Sequence, residues 1–119
     1  MRNYSTPTSA EVIPVFEALA DPARLHVVEL LGEAPRRAGE LAGAVGVSPP
    51  AMSRHLRVLL QAGIVADERG AADARTRFFR LRPQSLVAVQ AWLDQLQAHW
   101  DVQLASFQQH VANRTGSTS

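Results

Sequence analysis

At 119 residues, 46% of them hydrophobic and none of them cysteine, the chain suits one globular domain and excludes disulfides, thiolate metal sites and thiol redox sensing. Net charge is only +1, yet all twelve basic residues are arginine, and seven (Arg54, Arg57, Arg69, Arg75, Arg77, Arg80, Arg82) fall within residues 48–82 against Asp67, Glu68 and Asp73 alone. That third therefore carries net +4 while the remainder is negative, a local phosphate-binding footprint for which the alternative reading is an ordinary solvated surface.

Residues 1–10 and 113–119 read as flexible ends, with the folded domain at residues 11–112. The N-terminal MRNYSTPTSA lacks the apolar run of a secretion signal. No stretch approaches the roughly 20 apolar residues of a membrane span. A cytoplasmic protein with no membrane partner is expected.

A first helix is predicted over residues 11–19, with Val12, Val15, Phe16 and Leu19 on one face. In ADPARLHVVELLGE, Asp21 caps a second helix, Pro22 takes its first position and Gly32 closes it. A short third helix covers residues 38–45. No side-chain oxygen caps its start, and Glu40 compensates through the helix dipole. In GVSPPAMSRHLRVLLQAGIV, Gly46 ends that helix, Ser48 caps a fourth, and Pro49 and Pro50 occupy its first turn, where no intrahelical N–H is lost. Met52, Leu56, Leu59 and Leu60 form its buried stripe, which leaves Ser53, Arg54 and Arg57 facing outward. Residues 64–69 and 76–81 read as a hairpin around GAADA, ended by Pro83.

The rest is one long helix, residues 84–112, whose apolar stripe runs Val89, Leu93, Leu96, Trp100, Leu104, Phe107, Val111. So small a body cannot cover that stripe, so a partner is implied, most simply a second copy of the helix. The alternative is that it folds back on its own domain. The fold class is thus mainly α with a two-stranded wing: a winged helix-turn-helix of about five helices with a long C-terminal dimerisation helix.

LADPARLHVVELL, the S-x-H-L motif at residues 53–56 and RTRFFRL resemble the ArsR/SmtB type of bacterial winged-helix transcriptional repressor. The resemblance implies a homodimer, formed by the first and last helices, that represses promoters and releases double-stranded DNA when a small-molecule inducer binds. No inducer is identified by the residues. It implies dimer contacts at Phe16, Leu93, Leu96, Trp100, Leu104 and Phe107. The residues themselves support DNA binding. Arg54 is placed for bidentate donation to guanine, Ser53 for a base or phosphate, and Arg57 for a phosphate. Ser48, Pro50 and the first-turn backbone suit a phosphate. Arg75 and Arg77 flank the wing tip, near minor groove or backbone. His55 either orients the backbone or touches phosphate. Arg69 and Arg80 read as solubilising surface.

Many relatives bind metals at sites that this sequence does not reproduce. The C-x-C-like positions are Arg37 and Gly39, and the four C-terminal ligand positions hold Pro83, Ser85, Leu96 and His99. His99 and His110 share a helix face about 16 Å apart, and a solvated or interface role is expected. Neither metal nor cofactor is expected. No nucleophile–base pair, carboxylate pair or phosphate-cradling glycine loop is present, so the chain is not read as an enzyme. A winged-helix protein-interaction module is the competing reading, disfavoured by the outward arginines.

Overall fold

A computed structural model describes residues 7–116. The elements run α1 (Ser9–Leu19), α2 (Pro22–Leu31), α3 (Ala38–Val45), α4 (Pro49–Gln61), β1 (Val65–Arg69), β2 (Arg77–Leu81) and α5 (Pro83–Gly116). Each start has a local cause. The Thr8 N–H donates to Glu11 Oε2 at 2.7 Å at the head of α1. Asp21 Oδ1 accepts from the Ala23 and Arg24 N–H groups at 2.8 and 3.2 Å. The Ala51 N–H donates to Ser48 Oγ at 3.3 Å, with Pro49 and Pro50 behind the cap as anticipated.

Three boundaries depart from expectation. α1 begins at Ser9, so part of the supposed flexible N-terminus is helical; residues 1–6 lie outside the described residues. α5 continues to Gly116, because Asn113, Arg114 and Thr115 contain no breaker. The expected flexible tail therefore begins too early, and residues 117–119 lie outside the described residues. Pro83 does not merely end the hairpin. It is the first residue of α5, where a missing N–H costs nothing.

β1 and β2 pair antiparallel in the register Val65↔Leu81, Asp67↔Phe79 and Arg69↔Arg77. A third segment joins them. Arg36 exchanges both backbone hydrogen bonds with Phe79, its N–H donating at 3.0 Å and its carbonyl accepting at 2.8 Å. This bridge ties the loop before α3 to the wing.

The core gathers Val12, Val15 and Ala18 of α1, Val27 and Leu31 of α2, and Leu41 of α3. Met52, Leu56 and Leu59 of α4 meet them together with Ile64, Val65, Phe79 and Val89. Leu60 is half-buried. Burying one face of α4 this completely fixes which side chains it presents outward.

α5 is about 50 Å long at 1.5 Å per residue, and the molecule's longest dimension is 77 Å. Only the early turns of α5, through Leu86, Val89 and Trp92, pack on the body. Phe16 of α1 meets Trp92 edge-to-face, with ring centroids 5.8 Å apart at 70°. Beyond them Trp100, Leu104 and Phe107 are 51%, 57% and 65% exposed.

Candidate nucleic-acid interface

α3 and α4 are joined through Gly46, whose φ of 82° lies in the left-handed region. The Gly46 and Val47 N–H groups both donate to the Ala42 carbonyl, at 2.9 and 3.1 Å, closing α3 tightly. Buried Ala42 lets the helices approach, and fully buried Met52 anchors α4. The outer face of α4 then carries Ser53, Arg54 and Arg57, all exposed. Neither arginine has a carboxylate within 4.0 Å or a hydrogen-bond partner among the described residues. Pro50 is exposed beside them in the first turn.

The wing stands next to this face. Its tip closes through the Gly70 N–H donating to the Thr76 carbonyl at 2.8 Å and the Thr76 N–H to the Asp73 carbonyl at 3.0 Å. A side chain at Gly70 would be tight, since a Cβ there would sit 3.0 Å from the Asp73 carbonyl oxygen and 3.2 Å from the Phe78 ring, and these neighbours would have to give by a few tenths of an ångström. Arg75, 94% exposed, leans on Asp73 at 3.4 Å. Arg77 lies on the inner face, its Nε 2.7 Å from Asp67 Oδ2 and its guanidinium carbon 4.8 Å from the Phe79 ring centroid. Between helix and wing runs a cleft of about 250 Å³, bordered by Ser53, Arg57 and Arg77 and floored by Leu56, Leu60 and Phe79. Arg75, Arg77 and Arg80 are held by the wing's own carboxylates, whereas Arg54 and Arg57 of α4 are uncommitted.

His55 does not share that exposed face. It is half-buried, with Nδ1 3.2 Å from Arg24 Nη1. A guanidinium only donates, so Nδ1 accepts, and in the neutral ring the proton sits on Nε2. The side chain is thus placed against the Arg24 guanidinium of α2. Asp21 beside this pair has its carboxyl held below the usual range, chiefly by the Arg24 backbone N–H and further by that of Ala23, the Arg24 guanidinium and His55. At the head of α3 the Arg37 N–H donates to Glu40 Oε1 at 3.1 Å. That bond, with the Arg37 guanidinium, likewise lowers the Glu40 carboxyl.

Residues 21–67 match the family model described as bacterial regulatory protein, arsR family. Over 118 residues the chain is 36% identical to the HTH-type transcriptional regulator Rv2034 of Mycobacterium tuberculosis, covering 99% of this chain and 100% of that protein. The chain belongs to the ArsR family. This regulator is also similar to the transcriptional repressor SdpR of Bacillus subtilis, 38% identical over 55 residues that cover 46% of this chain and 61% of SdpR. It superposes on an ArsR-like transcriptional regulator from Rhodococcus sp. RHA1 with a TM-score of 0.75 at 32% identity, covering 84% and 92% of the two chains. It is a winged-helix DNA-binding transcriptional regulator, not an enzyme.

Two ArsR-regulator residues escape a reading of the sequence alone. Arg24 is one. Its only signal was a basic residue in the first turn of α2, where the helix dipole disfavours positive charge and a further partner is called for. Arg69 is the other. It is exposed, opposite Arg77 in the register, and has no carboxylate within 4.0 Å among the described residues. Arg80 pairs with Glu68 at 3.3 Å on the outer wing face.

Proposed function

We propose that this ArsR-family regulator acts as a homodimeric repressor on an inverted-repeat operator. In this reading α4 enters the major groove, with Arg54 reading a base and Ser53 and Arg57 beside it, while Arg69, Arg75 and Arg77 of the wing flank the backbone. The observation that carries it is the pair of uncommitted arginines on the outward face of a helix whose other face buries Met52, Leu56 and Leu59. Nothing among the described residues satisfies those guanidiniums, and guanine edges and phosphates do.

Dimerisation is supported by the stripe of α5. Leu93, Trp100, Leu104 and Phe107 stay exposed along one line with half-buried Leu96, and Phe16 of α1 is exposed beside Trp92. An isologous pairing of α1 and α5 buries that line in both copies. It also sets two α4 helices about 34 Å apart, one turn of duplex. No helix among the described residues is long and apolar enough to cross a membrane, and a repressor works beside the chromosome, so we place it in the cytoplasm. Selection of duplexes from a random-sequence pool tests the reading. Recovery of an inverted repeat supports it, and recovery of no common sequence refutes it.

A further inference from the structure

Arg24 lies in the first turn of α2, with its side chain only 17% exposed. Its nearest carboxylate, Asp21 Oδ2, is a loose 3.8 Å away. The guanidinium is committed elsewhere. Nε donates to the Ala18 carbonyl at 2.6 Å and Nη2 to the Glu17 carbonyl at 3.4 Å, both in the last turn of α1, where helix carbonyls lack intrahelical partners. Nη1 donates to His55 Nδ1 at 3.2 Å, in the middle of α4. One planar fork thus joins the end of α1, the start of α2 and the recognition helix.

We infer that Arg24 is a positioning residue for DNA recognition, fixing the rotation of α4 against the α1–α2 corner through His55. Apolar packing of Met52, Leu56 and Leu59 decides which face of α4 turns inward, and a directional hydrogen bond then sets the fine rotation within that packing. Among the described residues the Arg24–His55 bond is the one side-chain hydrogen bond from α4 to any other element. His55 is the immediate neighbour of Arg54 in the helix, so a turn of α4 about its axis that breaks this bond also swings the base-reading guanidinium. A lysine cannot replace the fork, because a single ammonium does not span an α1 carbonyl and the imidazole together.

This inference rests on the operator reading above, and its test separates the two. Wild type, Arg24→Ala, Arg24→Lys, His55→Ala and the Arg24→Ala/His55→Ala double variant are titrated against the duplex that wild type selects, across a salt series. Thermal melting confirms that each is folded. Arg24→Ala is expected to weaken operator binding about tenfold without changing the salt slope, since no phosphate contact is lost. Arg24→Lys should fail to restore the affinity. Adding Arg24→Ala to His55→Ala should weaken binding less than about twofold further, because both act through one contact. Ring-nitrogen NMR of wild type should show His55 protonated on Nε2 at neutral pH, a readout that needs no variant to fold. Wild-type operator affinity in folded Arg24→Ala, additive losses, a slope flattened by about one, or an Nδ1-protonated ring overturns this inference and leaves the operator reading standing. A wild type that selects no duplex overturns both.

Discussion

Arg77 and Asp67 face each other on the inner side of the wing, Nε to Oδ2 at 2.7 Å, diagonally across the strand pair. The carboxylate orients the guanidinium toward the cleft beside Ser53 and Arg57 and cancels its charge. Both partners are close to half-exposed, so the pair adds little to stability. In the proposed function it holds back phosphate affinity, because Asp67 competes with phosphate for the Arg77 guanidinium. Asp67→Asn should therefore tighten binding to any duplex, related or not to the operator, by a few-fold at low salt. Fluorescence anisotropy on specific and unrelated duplexes checks this. Unchanged binding to both would remove Arg77 from the interface.

The base-reading role proposed for Arg54 and the phosphate role proposed for Arg57 lead to separable outcomes. Arg54→Ala should cost about 1–3 kcal/mol against the selected operator and little against unrelated DNA. Arg57→Ala should weaken all duplexes alike and flatten the salt slope by about one. Titrations of each variant on both duplexes decide the matter.

Gly46 is required for its backbone and not for space. Its φ is 82°, and a Cβ there would meet nothing within 4 Å. Gly46→Ala should therefore cost about 1–2 kcal/mol of left-handed strain, whereas Gly46→Asn should lose clearly less, because asparagine tolerates that region. Urea unfolding midpoints of the two variants give the comparison.

Acid should loosen the helix starts first. Asp21 and Glu40 have carboxyls lower in the folded chain than in the unfolded one. Their contribution is full above the ordinary carboxylate range and is lost as pH falls through the lowered folded values. Asp21→Asn keeps an acceptor for the N-cap but not the charge, so its melting temperature should fall less steeply with acid than that of wild type. Parallel melts between neutral pH and pH 3 measure the difference in slope.

The helix-turn-helix was legible because its punctuation is local. Gly46, Ser48, Pro49 and Pro50 each act within a few residues of themselves, and Met52, Leu56 and Leu59 repeat at helical spacing. What was illegible depends on distant partners. Arg36 pairs with Phe79 through a single bridge that has no period to detect. Arg24 meets His55 across 31 residues, so His55 could be placed on α4 but not assigned a direction. The outer ends of α1 and α5 run past the expected helix bounds for a different reason. Thr8 with Glu11 is a cap spaced just ahead of the apolar pattern, and residues 113–115 continue α5 with no apolar residue to mark them.

In the proposed function two copies, joined along α1 and α5, present their α4 arginines to one inverted repeat. Sedimentation of the wild type and of Phe107→Glu, each with and without the selected duplex, decides this. Phe107 is 65% exposed in the single chain, so the substitution should leave the fold intact. The expected result is a wild-type dimer that binds one duplex and a folded, monomeric Phe107→Glu that has lost operator affinity. A wild type that sediments as a monomer and still binds the operator at full affinity would contradict it.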